Sequence, residues 1–232
     1  MTPNGGKHWN ELTGFRKIRS RFWWFSPAEP PFQAYVQGIA LSPTDPKALL
    51  VGIEFGAVVR SIDGGGTWSN HRPGALRDCH TITFHSTEGN WAYEAGGSGG
   101  GAAVSQDAGE TWTQPKERLD RHYGWACAAD PVNPETWYIS VSSGPHRAHG
   151  SGNAGAHIFR HEAEGWERLS GGLPQPLTSM PYALITDPSA PGHLYAGLSS
   201  GEVWHSSDHG DSWDPLPFNL QAVRRALIML TG

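Results

Sequence analysis

The pattern Ser-x-Asp-x-Gly-x-x-Trp occurs three times in this chain and limits its possible folds more than any other feature. The three copies, here called Asp boxes, are Ser61–Trp68, Ser105–Trp112 and Ser206–Trp213. A degraded copy, Thr2–Trp9, has Asn in place of Asp, and Phe159–Trp166 keeps only the final Gly-Trp. The final tryptophans of successive segments lie 44 to 59 residues apart, which fits four short strands with their turns. The repeat therefore predicts an all-β chain made of four-stranded propeller blades.

The residues before each box agree with that prediction. Pairs of β-rich runs occur at 37–41 and 49–53, 81–84 and 91–94, 125–129 and 137–141, and 182–186 and 194–198. Three of these pairs are separated by proline-containing segments, at 42–46, 130–134 and 187–191. Proline cannot donate to a central ladder, so these segments are predicted to be turns between strands. The complete blades are predicted at about 35–70, 78–114, 123–169 and 181–215.

Both ends of the chain carry parts of a further blade. Ala226–Leu230 has the composition of an innermost strand, and the degraded box lies in segment 1–12 with no strand before it. Either the ring closes with a depleted fifth blade, or the chain is a fragment of a longer propeller. The fragment interpretation is favoured, because an incomplete blade leaves an unpaired strand edge.

Composition excludes several classes of function. The chain of 232 residues has 30 Gly, 18 Pro and 11 Trp, but no apolar run of about 18 residues that would predict a membrane span. Its net charge of −5 and the lack of a basic run argue against a nucleic-acid partner. Two cysteines are too few for a disulfide scaffold or a four-cysteine metal site. The polar start shows no signal peptide, which favours the cytoplasm unless the N-terminus is truncated.

With three boxes in this arrangement, the chain resembles the Asp-box, or BNR-repeat, β-propellers. That superfamily includes sialidases, xyloglucan-cleaving glycosidases, sortilin-type receptor domains and photosystem II assembly factors. The resemblance covers nearly the whole chain and implies a fold rather than an activity, since one fold serves many functions. The sialidase catalytic set does not carry over, because Phe15–Ile18 reads Phe-Arg-Lys-Ile and lacks the proline of the sialidase motif.

The boxes are interpreted as structural elements. A turn aspartate accepts hydrogen bonds from nearby backbone N–H groups, glycine supplies a positive φ, and tryptophan packs into the blade. The residues assigned this role are Asp63, Trp68, Asp107, Trp112, Asp208 and Trp213. All three tryptophans are expected to be buried.

The resemblance implies that the boxes lie at one end of the blades and the ligand face at the other. The turns of that face supply Glu54 and Glu94, which we expect at equivalent places in adjacent blades, together with Asp78. These three are the candidate catalytic carboxyl groups, and a glycosidase needs two of them on either side of the scissile bond. The candidate ligand-binding residues are His80, Arg121, Tyr123, His146 and His149.

No cofactor or metal is indicated by the sequence. The segment Gly97–Ala102 mimics a dinucleotide fingerprint, but strands flank it where that motif needs a strand and a helix. His146 and His149 are interpreted as loop residues and not as a metal site.

Three functions remain open. The first is glycan binding, with or without hydrolysis, at the face opposite the boxes. The second is a non-catalytic propeller that binds a protein ligand, and the third is a structural repeat without independent function. Glu54, Glu94 and the histidine-rich loop that contains His146 and His149 favour the first function, whereas the lack of a transferable catalytic motif favours the second.

Overall fold

The computed structural model describes residues 1–26, 30–97, 99–150 and 152–229. Their regular structure is almost entirely antiparallel β, so the all-β prediction is confirmed. The strands are β1 Val36–Leu41, β2 Leu49–Ile53, β3 Val58–Ser61, β4 Cys79–Phe84, β5 Ala92–Gly96, β6 Ala102–Ser105, β7 Tyr123–Ala129, β8 Trp137–Ser142, β9 His157–Glu162, β10 Gly165–Leu169, β11 Pro181–Thr186, β12 Leu194–Leu198, β13 Glu202–Ser206 and β14 Asp214–Asn219.

The strands form four sheets in chain order, each made of consecutive strands. The sheets are β1-β2-β3, β4-β5-β6, β7-β8-β9-β10 and β11-β12-β13-β14. In the first two, the fourth strand is reduced to a short pairing. Thr113 and Val104 exchange both backbone hydrogen bonds in the second sheet, and Ser69 N–H donates to the Arg60 carbonyl in the first.

Successive sheets pack through their first strands. β1 lies against β4, β4 against β7, and β7 against β11. Three apolar clusters fill the spaces between neighbouring sheets, around Leu50 and Trp112, around Tyr93 and Trp137, and around Tyr138 with Trp213. Because every strand is joined to the next by a turn, this arrangement collects two sets of turns at opposite ends of the sheets.

The helices are few and short. Two 3-10 helices, Thr13–Lys17 and Arg19–Trp23, precede the first sheet, and one α-helix, α1, spans Pro145–His149 between β8 and β9. The sequence interpretation of that segment as a loop was therefore wrong. No helix in the described ranges is long and apolar enough to cross a membrane.

The two terminal segments differ from the predicted fifth blade. Residues 226–229 form no strand, and Leu230 lies outside the described residues. Among the described residues, no strand pairs with 226–229. Instead, Val223 and Leu227 lie close to Gly197 of β12, and Arg225 donates to the side chain of Gln37, 2.7 Å away.

The degraded box keeps the turn geometry without a blade around it. The Thr2 hydroxyl accepts from Gly6 N–H at 2.8 Å, and the Asn4 side chain accepts from His8 N–H at 2.9 Å. Trp9, however, is exposed, because no neighbouring strands cover it.

Candidate functional site

The three Asp boxes form the same hydrogen bonds in each copy. The Asp63 carboxylate accepts from the Ser61 hydroxyl at 2.8 Å and from the Thr67 N–H at 2.9 Å. Asp107 and Asp208 repeat both bonds, at 2.7 to 2.9 Å. The Thr67 N–H and hydroxyl lower the pKa of Asp63 to about 2. These carboxylates are thus bonded within their own turns.

The box tryptophans are not equally buried. Trp112 and Trp213 are buried between sheets, and each donates its indole N–H to the carbonyl of the box glycine. Trp68 is half-buried, so the expectation for this residue was wrong. Its sheet has no neighbouring sheet on that side among the described residues, and the ring contacts Phe15 instead.

A cavity of about 600 Å³ lies at the end of the sheets opposite the boxes. Turns that follow second strands and residues that begin first strands both contribute to it. Its lining residues are Tyr35, Glu54, Phe55, Asp78, His80, Gly97, Tyr123, Trp125, Pro145, His146 and His149. Of the eight predicted site residues, six line this cavity, and Glu94 and Arg121 do not.

Asp78 lies at the cavity wall, with its carboxyl group close to the backbone of Gly97. A Cβ at Gly97 would lie 2.1 Å from its Oδ2 atom, so any other residue there would displace the Asp78 carboxyl group. Oδ1 accepts weakly from Phe55 N–H at 3.4 Å, and Oδ2 accepts no hydrogen bond from the described residues. Burial raises the pKa of Asp78 to about 6, against the opposing effect of the Phe55 bond.

His80 faces Asp78 with an unprotonated nitrogen. Its Nδ1 lies 2.7 Å from the Gly124 carbonyl, which only accepts, so Nδ1 carries the proton. Nε2 is then left as an acceptor, 3.6 Å from Asp78 Oδ1. Burial lowers the pKa of His80, which keeps the ring neutral at neutral pH.

Glu54 lines the same cavity together with Tyr35. The Tyr35 hydroxyl donates to Glu54 Oε2, and Glu54 N–H donates to the Tyr35 carbonyl at 3.0 Å. Burial and the hydrogen bond to Glu54 raise the pKa of Tyr35 to about 12, so its phenol keeps its proton. Glu54 is therefore a buried carboxylate that is fixed by one hydroxyl.

Aromatic rings form a continuous wall of the cavity. The His80 ring lies 5.1 Å from Tyr123 and 4.3 Å from Trp125, centroid to centroid. Trp125 in turn contacts His149 and Tyr182 at 4.8 and 5.0 Å. Because Trp125 is only half-buried, part of its ring remains available to a ligand.

Helix α1 is fastened over this wall by a chain of hydrogen bonds. The Tyr182 hydroxyl donates to the Ala148 carbonyl at 3.3 Å and accepts from His149 Nδ1–H at 2.6 Å. His149 Nε2 then accepts from the Tyr123 hydroxyl at 2.6 Å. Burial lowers the pKa of His149, consistent with this neutral tautomer. His146, on the same helix, is exposed and also lines the cavity.

Glu94 does not occupy the place expected for it. It is the third residue of β5, whereas Glu54 follows the last residue of β2, so the two are not equivalent. Glu94 is fully buried and accepts from Leu76 N–H at 2.9 Å, and both this N–H and the Cys79 thiol beside it act to lower its pKa. Burial raises the pKa of Glu94 to about 8, so the side chain is largely protonated at neutral pH.

Arg121 is also engaged elsewhere. Its guanidinium donates to the Gly155 carbonyl at 2.9 Å and pairs with Asp120 at 2.8 Å.

Both cysteines, Cys79 and Cys127, are free and buried. Across the described ranges, no group of three or more His, Cys, Asp or Glu side chains is arranged to hold a metal ion.

Phe55, in the turn after β2, lines the cavity and was missed by the sequence analysis, as were three aromatic residues at the first strands of their sheets. Tyr35 and Trp125 line the cavity, and Tyr182 fastens α1. Each lies just before or near the start of a first strand of its sheet. That position, at the ligand end of the strand nearest the centre, is the sequence signal that identifies them.

Comparisons with known proteins identify the fold and no closer relationship. No protein-family model matches the chain, and no curated protein matches it. Among solved structures, the GH74 xyloglucanase from Xanthomonas campestris superposes with a TM-score of 0.60 at 21% identity, over 77% of this chain and 29% of that one. An ancestral GH74 enzyme gives a TM-score of 0.60 at 16% identity, over 82% of this chain and 25% of that one.

The GH74 enzyme of Niastella koreensis gives a TM-score of 0.56 at 18% identity, over 77% of this chain and 29% of that one. The chain thus spans less than a third of the length of each of these proteins. At these identities the likeness shows the fold alone, a β-propeller, and the sheets described above are its blades.

Proposed function

We propose that the cavity binds a glycan. The observation that carries this proposal is the pairing of a half-buried indole, Trp125, with two buried carboxyl groups, Glu54 and Asp78, in one cavity of about 600 Å³. Sugar rings stack on aromatic faces and their hydroxyls donate to carboxylates, and the volume lies within the usual range for ligand pockets. The GH74 names of the similar structures support a glycan as the first ligand class to test.

The test is a binding screen of the intact chain against neutral and charged oligosaccharides, including xyloglucan fragments, by calorimetry. Trp125→Ala is expected to weaken binding at least about tenfold, because it removes the stacking surface. Trp91→Ala is the matched control, since Trp91 is also half-buried but does not line the cavity. Equal affinities for the two variants, or no glycan bound at all, would contradict the proposal.

Hydrolysis is a second candidate function, favoured by the pKa of Asp78. A carboxyl group with a pKa of about 6 stays partly protonated at mildly acidic pH and can donate a proton to a glycosidic oxygen. Glu54 would supply the second carboxyl group. Release of reducing ends from any bound oligosaccharide, abolished in both Asp78→Asn and Glu54→Gln, is the expected result for an enzyme.

Glycan binding without release of reducing ends would assign the chain as a binding module that does not hydrolyse its ligand. The protein-binding alternative is favoured only if glycans fail and a polypeptide binds in the same cavity.

A further inference from the structure

The cavity offers hydrogen-bond acceptors in excess of donors. Asp78 Oδ2 is unpartnered among the described residues although the side chain is only 4% exposed, and His80 Nε2 faces the same carboxylate as a second acceptor. The two phenolic donors in the lining are already committed, that of Tyr35 to Glu54 and that of Tyr123 to His149. A ligand that fits this cavity therefore brings donors with it.

Apart from its histidines, the cavity carries charges of one sign. Glu54 and Asp78 are its acidic residues, and neither Lys nor Arg is among the described residues that line it. His80 and His149 have pKa values lowered by burial, so they leave the carboxylates unneutralised at neutral pH. The charge of Arg225 acts on the Tyr35 phenol, but Arg225 donates to Gln37 and does not line the cavity.

Aromatic faces complete the environment. Phe55 and Tyr35 are each 40% exposed, and Trp125 is half-buried. An aromatic face attracts a cation that sits within about 6 Å of its centroid, and the attraction grows as water is excluded. Carboxylates without counter-charges and exposed aromatic faces thus both favour a cation. An ammonium group is a cation that also supplies three hydrogen-bond donors and no acceptor.

From this arrangement we infer that the cavity selects a glycan carrying a free, protonated amino group, with the ammonium held between Glu54, Asp78 and the aromatic wall. The inference rests on the proposed function and narrows its ligand class. Anionic sugars are disfavoured by the same carboxylates, and an N-acetylated sugar lacks the charge that the site complements.

The experiment compares two trisaccharides that differ only at nitrogen, the β-1,4-linked trimer of glucosamine and its fully N-acetylated counterpart. Calorimetry at about pH 7 is expected to show the amino trimer bound at least about tenfold more tightly, as for a charge-assisted contact. Added salt should weaken binding of the amino trimer and leave that of the acetylated trimer nearly unchanged.

Variants assign the preference to the cavity. Glu54→Gln and Asp78→Asn are expected each to reduce the ratio of the two affinities severalfold. Glu164→Gln is the control, because it makes the same change of charge in the exposed turn between β9 and β10, at the opposite end of the sheets. Thermal melting of each variant identifies any that fail to fold. If Asp78→Asn fails to fold, Glu54→Gln alone still tests the inference.

The outcomes separate this inference from the proposed function. Equal affinity for the two trimers, or a preference that survives both cavity variants, overturns the amino-sugar inference while leaving glycan binding in place. Binding of neither trimer nor any neutral oligosaccharide overturns the proposed function itself. Binding of tetralysine without binding of the amino trimer assigns the cavity to a basic polypeptide and overturns both.

Discussion

At the scale of single residues, the boxes and the cavity use carboxyl groups in opposite ways. A box aspartate is surrounded by donors from its own turn, which lower the pKa of Asp208 to about 2 through the Ser212 hydroxyl and N–H. Asp78 and Glu94 are buried with few donors, and burial raises both of their pKa values. The balance between burial and local hydrogen bonding therefore sets the pKa of each carboxyl group.

Glu94 provides a prediction about pH and stability. Its pKa of about 8 in the folded chain lies above the ordinary value of 4.5, so between these values the folded state holds one proton more than the unfolded state. The free energy of unfolding should therefore fall as pH rises, by up to about 1.4 kcal/mol per unit. Urea unfolding at about pH 7 and pH 8 measures this fall. This pH range lies above the pKa of Asp78, which is about 6, and above the lowered pKa of His80.

The variant Glu94→Gln should lose the dependence on pH in that window, because it carries no ionisable group there. Glu88→Gln is the matched control at an exposed position and should keep it. An unchanged dependence in Glu94→Gln would contradict the assignment.

The sequence predicted the box residues better than it predicted Glu94. The box is a local pattern whose partners lie within four residues, as the bonds of Asp63 to Ser61 and Thr67 show. The position of Glu94 depends on the register of β5 against β4, where it pairs with Ile82, and no local pattern encodes that register. Glu54 follows the last residue of β2, whereas Glu94 lies two residues before the end of β5, so the two side chains occupy different positions in their sheets.

At the scale of elements, the strands were predictable and helix α1 was not. Strands repeat with turns that contain proline and glycine, so each copy supports the assignment of the others. Helix α1 occurs once, in a glycine-rich insertion without hydrophobic periodicity, and is only five residues long. It is held by tertiary bonds from His149 to Tyr123 and Tyr182, whose partners lie 26 and 33 residues away.

That dependence predicts how α1 responds to mutation. His149→Phe keeps an aromatic ring but removes both hydrogen bonds, each worth about 1 kcal/mol, so the helix should open more readily. Hydrogen exchange of the segment 143–156 should become about thirtyfold faster, since the two bonds together are worth about 2 kcal/mol. His146→Phe is the control on the same helix, since its side chain forms no hydrogen bond with the described residues. Equal exchange in the two variants would show that these bonds do not fasten the helix.

At the scale of the whole molecule, the arrangement of sheets leaves one apolar face partly uncovered. The three inner clusters each join two neighbouring sheets, whereas the fourth joins the first sheet to the segment that contains Phe15 and Ile18. Beside that segment lies a depression of about 640 Å³ lined largely by apolar side chains, including Trp9, Ile39 and Leu41. Ile39 is 64% exposed and Leu41 61%, although both belong to β1, whose equivalents β4 and β7 each pack between two sheets.

An exposed apolar surface of this kind predicts association at high protein concentration. Sedimentation velocity over a range of concentrations should show the chain forming larger species, and the double substitution of Ile39→Lys with Leu41→Lys should reduce them. The glycan cavity lies at the end of the sheets where Tyr35 and Glu54 are found, and neither Ile39 nor Leu41 lines it. Glycan affinity should therefore be unchanged in the double variant. Val132→Lys is the control, because Val132 is similarly exposed, at 68%. It lies in the turn after β7, and the apolar face belongs to β1. A wild-type chain that sediments as a monomer at every concentration, or association that Val132→Lys reduces as strongly, would contradict the prediction.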